Sequence, residues 1–175
     1  GLPQGVQISN NTTLNFPNGS GGAFKANGNL TIDSGSALYQ NYSGGSAGLV
    51  VGGNLLLNGA LGAGSSAGGD ITVSGNWTQA AAATFQPNGR TVFFNGTIAQ
   101  TIQKTGGGTI DFERIEINKT NATTVALSNA AGNLTDVHIN GASGNVLALT
   151  GAGTGAIDLK GRALTFNNDG GFIYV

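Results

Sequence analysis

Cysteine is absent from this 175-residue chain, and so is methionine. Without cysteine, disulfides and thiolate metal sites are excluded, and the redox compartment cannot be read from thiol pairing. Charge is scarce too: Asp, Glu, Lys and Arg make up 9% of the residues and nearly cancel, at a net charge of −1. That is too little basic surface to hold nucleic acid. No apolar run approaches the roughly 20 residues that cross a bilayer, so membrane insertion is not expected. A chain that opens at Gly1, with neither Met nor a basic, apolar leader, points to a processed or trimmed mature segment.

What remains is glycine, at 32 positions, with many Asn, Ser and Thr and a 39% hydrophobic share. The apolar content is enough for a core, and the length fits one domain over residues 1–175. The polar surface must come from amides and hydroxyls rather than from ions. Ten Asn-x-Ser/Thr triplets occur, at Asn10, Asn11, Asn18, Asn29, Asn41, Asn76, Asn95, Asn118, Asn121 and Asn133. In a eukaryotic secreted chain they would accept glycans, but a composition this rich in Asn, Ser and Thr also produces them by chance.

The apolar residues are arranged in short pulses of period two, the pattern of strands with one buried face. Ile71 and Val73, Val92 and Phe94, and Ile115 and Ile117 recur in steps of about 21 to 23 residues, as a wound β-coil would give. Earlier, Val6 and Ile8 are followed about 24 residues later by Leu30 and Ile32, and Leu14 by Leu38 at the same offset. Leu49 and Leu55 stand about 22 residues ahead of Ile71 and Trp77. The stretch from Tyr39 to Ala47 reads as a bulge at a corner. Ala80–Ala83 has helix propensity, but Pro87-Asn88-Gly89 follows too soon for a helix. Asn88-Gly89 and Asn95-Gly96 read as tight corners. Between Ile110/Phe112 and Ile115/Ile117 the parity shifts, so a corner at Glu113-Arg114 is expected, with Asp111, Glu113, Arg114 and Glu116 outward in a patch of mixed, self-paired charge.

These pulses predict an all-β fold: a right-handed parallel β-helix, or β-solenoid, with no significant helix. Handedness follows from the crossover preference. The starts Val6, Leu30, Leu49, Ile71, Val92, Ile115, Val137 and Ile157 suggest about eight coils and a rod of about 35 to 40 Å. The expected inward stack comprises Leu30, Leu55, Ile71, Val73, Val92, Phe94, Ile110, Ile115, Ile117, Val137, Ile139, Leu147, Ile157 and Leu164.

The block Gly75 to Thr78 (GNWT), Gly89 to Gly96 (GRTVFFNG), Gln100 to Ile102 (QTI) and Ile115 to Asn118 (IEIN) resembles the repeats of large secreted bacterial surface proteins and adhesins. The resemblance covers about half the chain, from Asp70 to about Phe166. It implies a parallel β-solenoid with an extracellular or cell-surface location, and its motifs have no catalytic content.

Candidate chemistry is thin. Asp111 and Glu113 alternate onto one side of a strand, at a separation of the kind a glycosidase pair needs; the plainer reading is a solubilising strand face. His138, between Val137 and Ile139, points outward with no triad or metal partner at a fitting spacing. Gly151–Gly155 lacks the Lys-Ser/Thr ending and following helix of a phosphate loop. Asn167–Gly171 offers a single acid for calcium. No catalytic residue, metal or cofactor is therefore expected.

Two functions remain. The first is a non-enzymatic structural role, as a subunit of an extracellular fibre or a segment of a cell-surface adhesin. The second is glycan or ice binding through a flat polar face; an ice-binding version would be expected to show Thr in register along one face, and Thr31, Thr72, Thr91 and Thr135 recur only loosely. For the first, the strand Phe172, Ile173, Tyr174 and Val175 is the expected assembly edge. It is apolar and carries no capping helix or charge, so the expected partner is an identical subunit head to tail or a neighbouring repeat of a longer chain.

Overall fold

The computed structural model describes residues 5–15, 23–40, 48–153 and 155–175. Phe16 to Gly19 and most of the Tyr39 to Ala47 stretch lie outside them. Among the described residues there are twenty-one strands, numbered along the chain, and no helix. Strands pair in parallel with the strand three places on, so the chain winds into seven three-strand rungs.

One face holds β1 (Val6–Ile8), β4 (Leu30–Ile32), β7 (Leu55–Leu57), β10 (Trp77–Gln79), β13 (Gln100–Lys104), β16 (Thr124–Leu127) and β19 (Ala156–Asp158). The second face is split. Its early part is β2 (Thr13–Asn15), β5 (Ala37–Tyr39), β8 (Ala60–Gly62) and β11 (Thr84–Gln86), and its late part is β14 (Gly108–Phe112), β17 (Thr135–Ile139) and β20 (Leu164–Phe166). The third face holds β3 (Phe24–Ala26), β6 (Leu49–Val51), β9 (Ile71–Val73), β12 (Thr91–Phe94), β15 (Arg114–Asn118), β18 (Gly144–Thr150) and β21 (Gly171–Tyr174).

The expected offsets are the register. Val6 pairs with Leu30, Leu14 with Leu38, Leu49 with Ile71 and Leu55 with Trp77. The coil count differs from expectation: seven rungs, with six turns between first and last, replace about eight coils. Leu30 and Leu49 open different faces of one rung, so counting both adds a coil. Val137 and Ile157 are not successive either, because Val137 pairs with Leu164 and Ile157 with Val125. Six spacings of about 4.8 Å make a rod about 29 Å long.

The interior is a continuous apolar stack. All of the expected inward residues are buried except Ile157 and Leu164, which are partly buried in the last rung, where no further rung covers them among the described residues. At its middle Trp77 is fully buried, with ring centroids 4.9 Å from Phe85 and 5.2 Å from Phe112. Phe85 and Phe112 meet edge-on at 5.7 Å across the break in the second face. Ala80–Ala83 forms a turn that leads into β11.

The corners use two devices. Asn88 and Gly89 have positive φ, 48° and 76°, as a tight turn requires. Gly96 is needed for a different reason, since a Cβ there would sit 2.0 Å from the Ser74 carbonyl oxygen of the rung below. The parity shift at Glu113 is a corner as expected, with Ile110, Phe112, Ile115 and Ile117 all buried.

Candidate functional site

Glycine followed by asparagine and an apolar residue occurs at 28–30, 53–55, 75–77, 132–134 and 144–146, and the first three stand at the corner that enters the first face. Stacking of the rungs turns those three into a ladder. Asn29 Oδ1 accepts from the Asn54 N–H, Asn54 Oδ1 from the Asn76 N–H and Asn76 Oδ1 from the Thr101 N–H, each at 2.8 Å. The preceding glycines let the backbones approach: a Cβ on Gly75 would lie 2.5 Å from Asn54 Oδ1 and 2.6 Å from the Gly53 carbonyl carbon. Beside the ladder, Thr31, Leu56 and Thr78 stand in register, pointing outward. Together the two rows line a shallow groove of about 250 Å³.

Above Thr101 the same corner changes character. Gln100 is buried, and its Nε2 donates to the carbonyls of Val73, at 3.0 Å, and Gly75. Lys119 is buried as well; its Nζ donates to Gln100 Oε1 and, at 3.1 Å, to the Ile98 carbonyl. Burial lowers the Lys119 pKa to about 8. The glycines of the 151–155 loop close over this lysine. The Gly153 N–H donates to the Lys119 carbonyl at 3.0 Å, and a Cβ on Gly155 would lie 2.9 Å from the lysine side chain. The loop that superficially resembles a phosphate cradle is thus a packing surface.

The charged patch is arranged differently from expectation. Among the described residues its members form no ion pair with one another, and Arg114, Glu116 and Asp111 bond instead to neighbouring rungs. Arg114 donates to the Gly89 carbonyl at 2.9 Å and the Ser143 carbonyl at 3.1 Å, spanning three rungs. Glu116 accepts from the Thr150 hydroxyl at 2.6 Å. Asp111 faces His138 across the strand register, with Oδ1 3.2 Å from Nδ1, and accepts from Asn140 Nδ2 at 3.4 Å. His138 points outward as expected, but it has a carboxylate partner that spacing along the chain did not reveal. Glu113 stands at the corner after β14, half-buried, where its carbonyl accepts from the Gly141 N–H.

In the next rung the Ala163 N–H, at 2.8 Å, and the Arg162 guanidinium, at 2.7 Å, hold the Asp136 carboxyl below the usual carboxylate range. Asn167 and Asn168 donate to Asn140, at 2.6 and 2.5 Å. Among the described residues no three of His, Asp and Glu gather in a way that would hold a metal ion.

The four threonines do not share a rank. Thr31 is on the first face, with Leu56 between it and Thr78. Thr72 and Thr91 lie on the third face, in register with Val50 and Phe93 and with Arg114 respectively. Thr135 is buried, its hydroxyl donating to the Asn133 carbonyl.

At the last rung, Phe172, Ile173, Tyr174 and Val175 are exposed at 65%, 57%, 55% and 86%, and β21 is the outermost strand of its sheet. At the first rung, Val6, Ile8, Leu14 and Phe24 line an open depression of about 440 Å³. Set against protein-family models, curated proteins and solved structures, the chain matches none.

Proposed function

We propose that this chain is a non-enzymatic structural segment of an extracellular or cell-surface protein, whose solenoid is continued at its exposed rung. The continuation is either the next repeat of a longer chain or an identical subunit stacked head to tail in a fibre. The observation that carries this reading is the last rung, where β21 offers open backbone groups together with the exposed side chains of Phe172, Ile173, Tyr174 and Val175. An apolar parallel edge of this kind is a template for another strand. The depression at the first rung, where Val6, Ile8, Leu14 and Phe24 stand beside the polar Gln7, Ser9, Asn10, Thr12 and Lys25, gives a second, partly apolar surface, and head-to-tail contact between unlike ends generates open filaments rather than closed rings.

Two further features support the reading. The GNWT, GRTVFFNG and IEIN segments resemble repeats of bacterial surface proteins and adhesins. Three ionic side chains are tied between rungs, which is a structural use: Arg114 bridges two carbonyls, and Asp111 and Glu116 bond to side chains of the following rung.

The test is assembly. Negative-stain electron microscopy and sedimentation of the chain are expected to show end-to-end oligomers, and the Ile173→Lys, Tyr174→Lys double variant is expected to shift them to single rods with little change in melting. Uniform monomers in the parent would remove the fibre reading and leave the repeat-segment reading to be tested in a longer chain. Turnover of a polysaccharide that disappears in an Asp111→Asn, Glu113→Gln double variant would overturn the non-enzymatic assignment.

A further inference from the structure

We propose that the groove on the first face, over the second to fourth rungs, binds an extended neutral glycan along the rod axis. Each ladder asparagine commits its side-chain oxygen to the backbone of the next rung. The Nδ2 groups of Asn29, Asn54 and Asn76 have no partner among the described residues, and all three residues line the groove, so their amides are the donors assigned to it. Parallel strands set the donors about 4.8 Å apart, close to the rise per sugar of an extended β-linked chain. A ligand here must therefore present acceptor oxygens at that repeat, as ring hydroxyls, glycosidic oxygens and acetamido carbonyls do.

The rest of the groove fits the same chemistry. Leu56, 37% exposed, lies between the Thr31 and Thr78 hydroxyls and offers an apolar patch to the C–H face of a sugar ring. No ionisable side chain lines the groove, which disfavours a phosphate-bearing polymer such as nucleic acid, whose binding depends on Lys and Arg. The groove lies rungs away from the exposed strand β21, so this proposal does not rest on the assembly reading and fails or stands separately from it.

The experiment is calorimetric titration of the chain with two neutral probes, the β-1,4-linked hexasaccharides of glucose and of N-acetylglucosamine. Insoluble cellulose and chitin serve in a parallel pull-down. Binding of at least one probe is expected. Leu56→Asp, which places a charge in the groove without touching the ladder, should weaken it at least about tenfold. Thr72→Ala, outward on the third face, should leave it unchanged. Should Leu56→Asp fail to fold, the Thr31→Ala, Thr78→Ala double variant is expected to weaken binding while the melting temperature is kept. No binding of either probe, or binding indifferent to every groove variant, overturns the proposal and leaves the ladder a purely structural device.

Discussion

A lysine shut off from solvent, with a carbonyl and a carboxamide beside it instead of a carboxylate, holds its proton less firmly than it does in the unfolded chain. For Lys119 the folded pKa is about 8 against an ordinary 10.5. Between those values the unfolded state binds the proton and the folded state does not, so this group makes stability rise with pH over that window. Its contribution is fully present above about pH 10.5 and is lost as pH falls through about 8. Denaturant titrations from pH 7.5 to 10.5 should show the rise, and Lys119→Met should flatten it; an unchanged slope in the variant would place the titration elsewhere. Trp77 is the other decisive residue. Its ring touches Phe85 and Phe112, and its indole N–H has no hydrogen-bond partner among the described residues. Trp77→Ala should cost about 3–5 kcal/mol in chemical denaturation, because the surrounding rings cannot close the cavity.

The corner that enters the first face is where elements are locked in register. The second, third and fourth rungs each add one asparagine to the ladder, and Gly53 and Gly75 admit the backbone of the neighbouring rung. Asn54→Ala removes the acceptor of the Asn76 N–H, so a loss of about 1–2 kcal/mol is expected from thermal or denaturant melts. Gly75→Ala should be worse. The atoms its Cβ would meet, at 2.5 to 2.7 Å, include the Asn54 amide nitrogen and the Gly53 carbonyl carbon. Backbone yields less readily than a side-chain tip, and a cost above that of Asn54→Ala tests whether the close approach matters more than the bond.

The whole molecule is a stack in which each rung packs mainly on its neighbours, so stability should be graded along the rod. Ile157, Leu164 and Phe166 of the last rung are incompletely covered, whereas the second to fourth rungs are closed on both sides. Leu164→Asp is therefore expected to lower hydrogen-exchange protection in β17 and β20 while that of β4, β7 and β10 is kept. Trp77→Ala, in the fourth rung, should lower protection in both directions. Uniform loss in both variants would mean that the rod unfolds as one cooperative unit.

Much of this architecture was written locally. Period-two pulses at Val6/Ile8, Leu30/Ile32 and Ile71/Val73 fixed the strands, because alternation decides which side chains a pleated strand can bury. Their near-constant offsets fixed the winding, and Asn88-Gly89 fixed a corner through its positive φ. The count of rungs was not local. Leu30 and Leu49 look alike as apolar pulses, and only pairing shows that they lie on different faces of one rung. The sites were even less visible. G-N-apolar triplets stand at 28–30, 53–55, 75–77, 132–134 and 144–146, and only pairing across rungs shows that Asn29, Asn54 and Asn76 form a ladder. Asp111 and His138 are 27 positions apart in the chain and 3.2 Å apart in the fold. Lys119, in a Asn-Lys-Thr triplet that reads as surface, is buried because the 151–155 glycines fold over it. Strand and turn preferences act within a few residues, so the sequence alone could determine them. Contacts between rungs depend on the number of residues in every intervening corner, and only the wound chain sets that register.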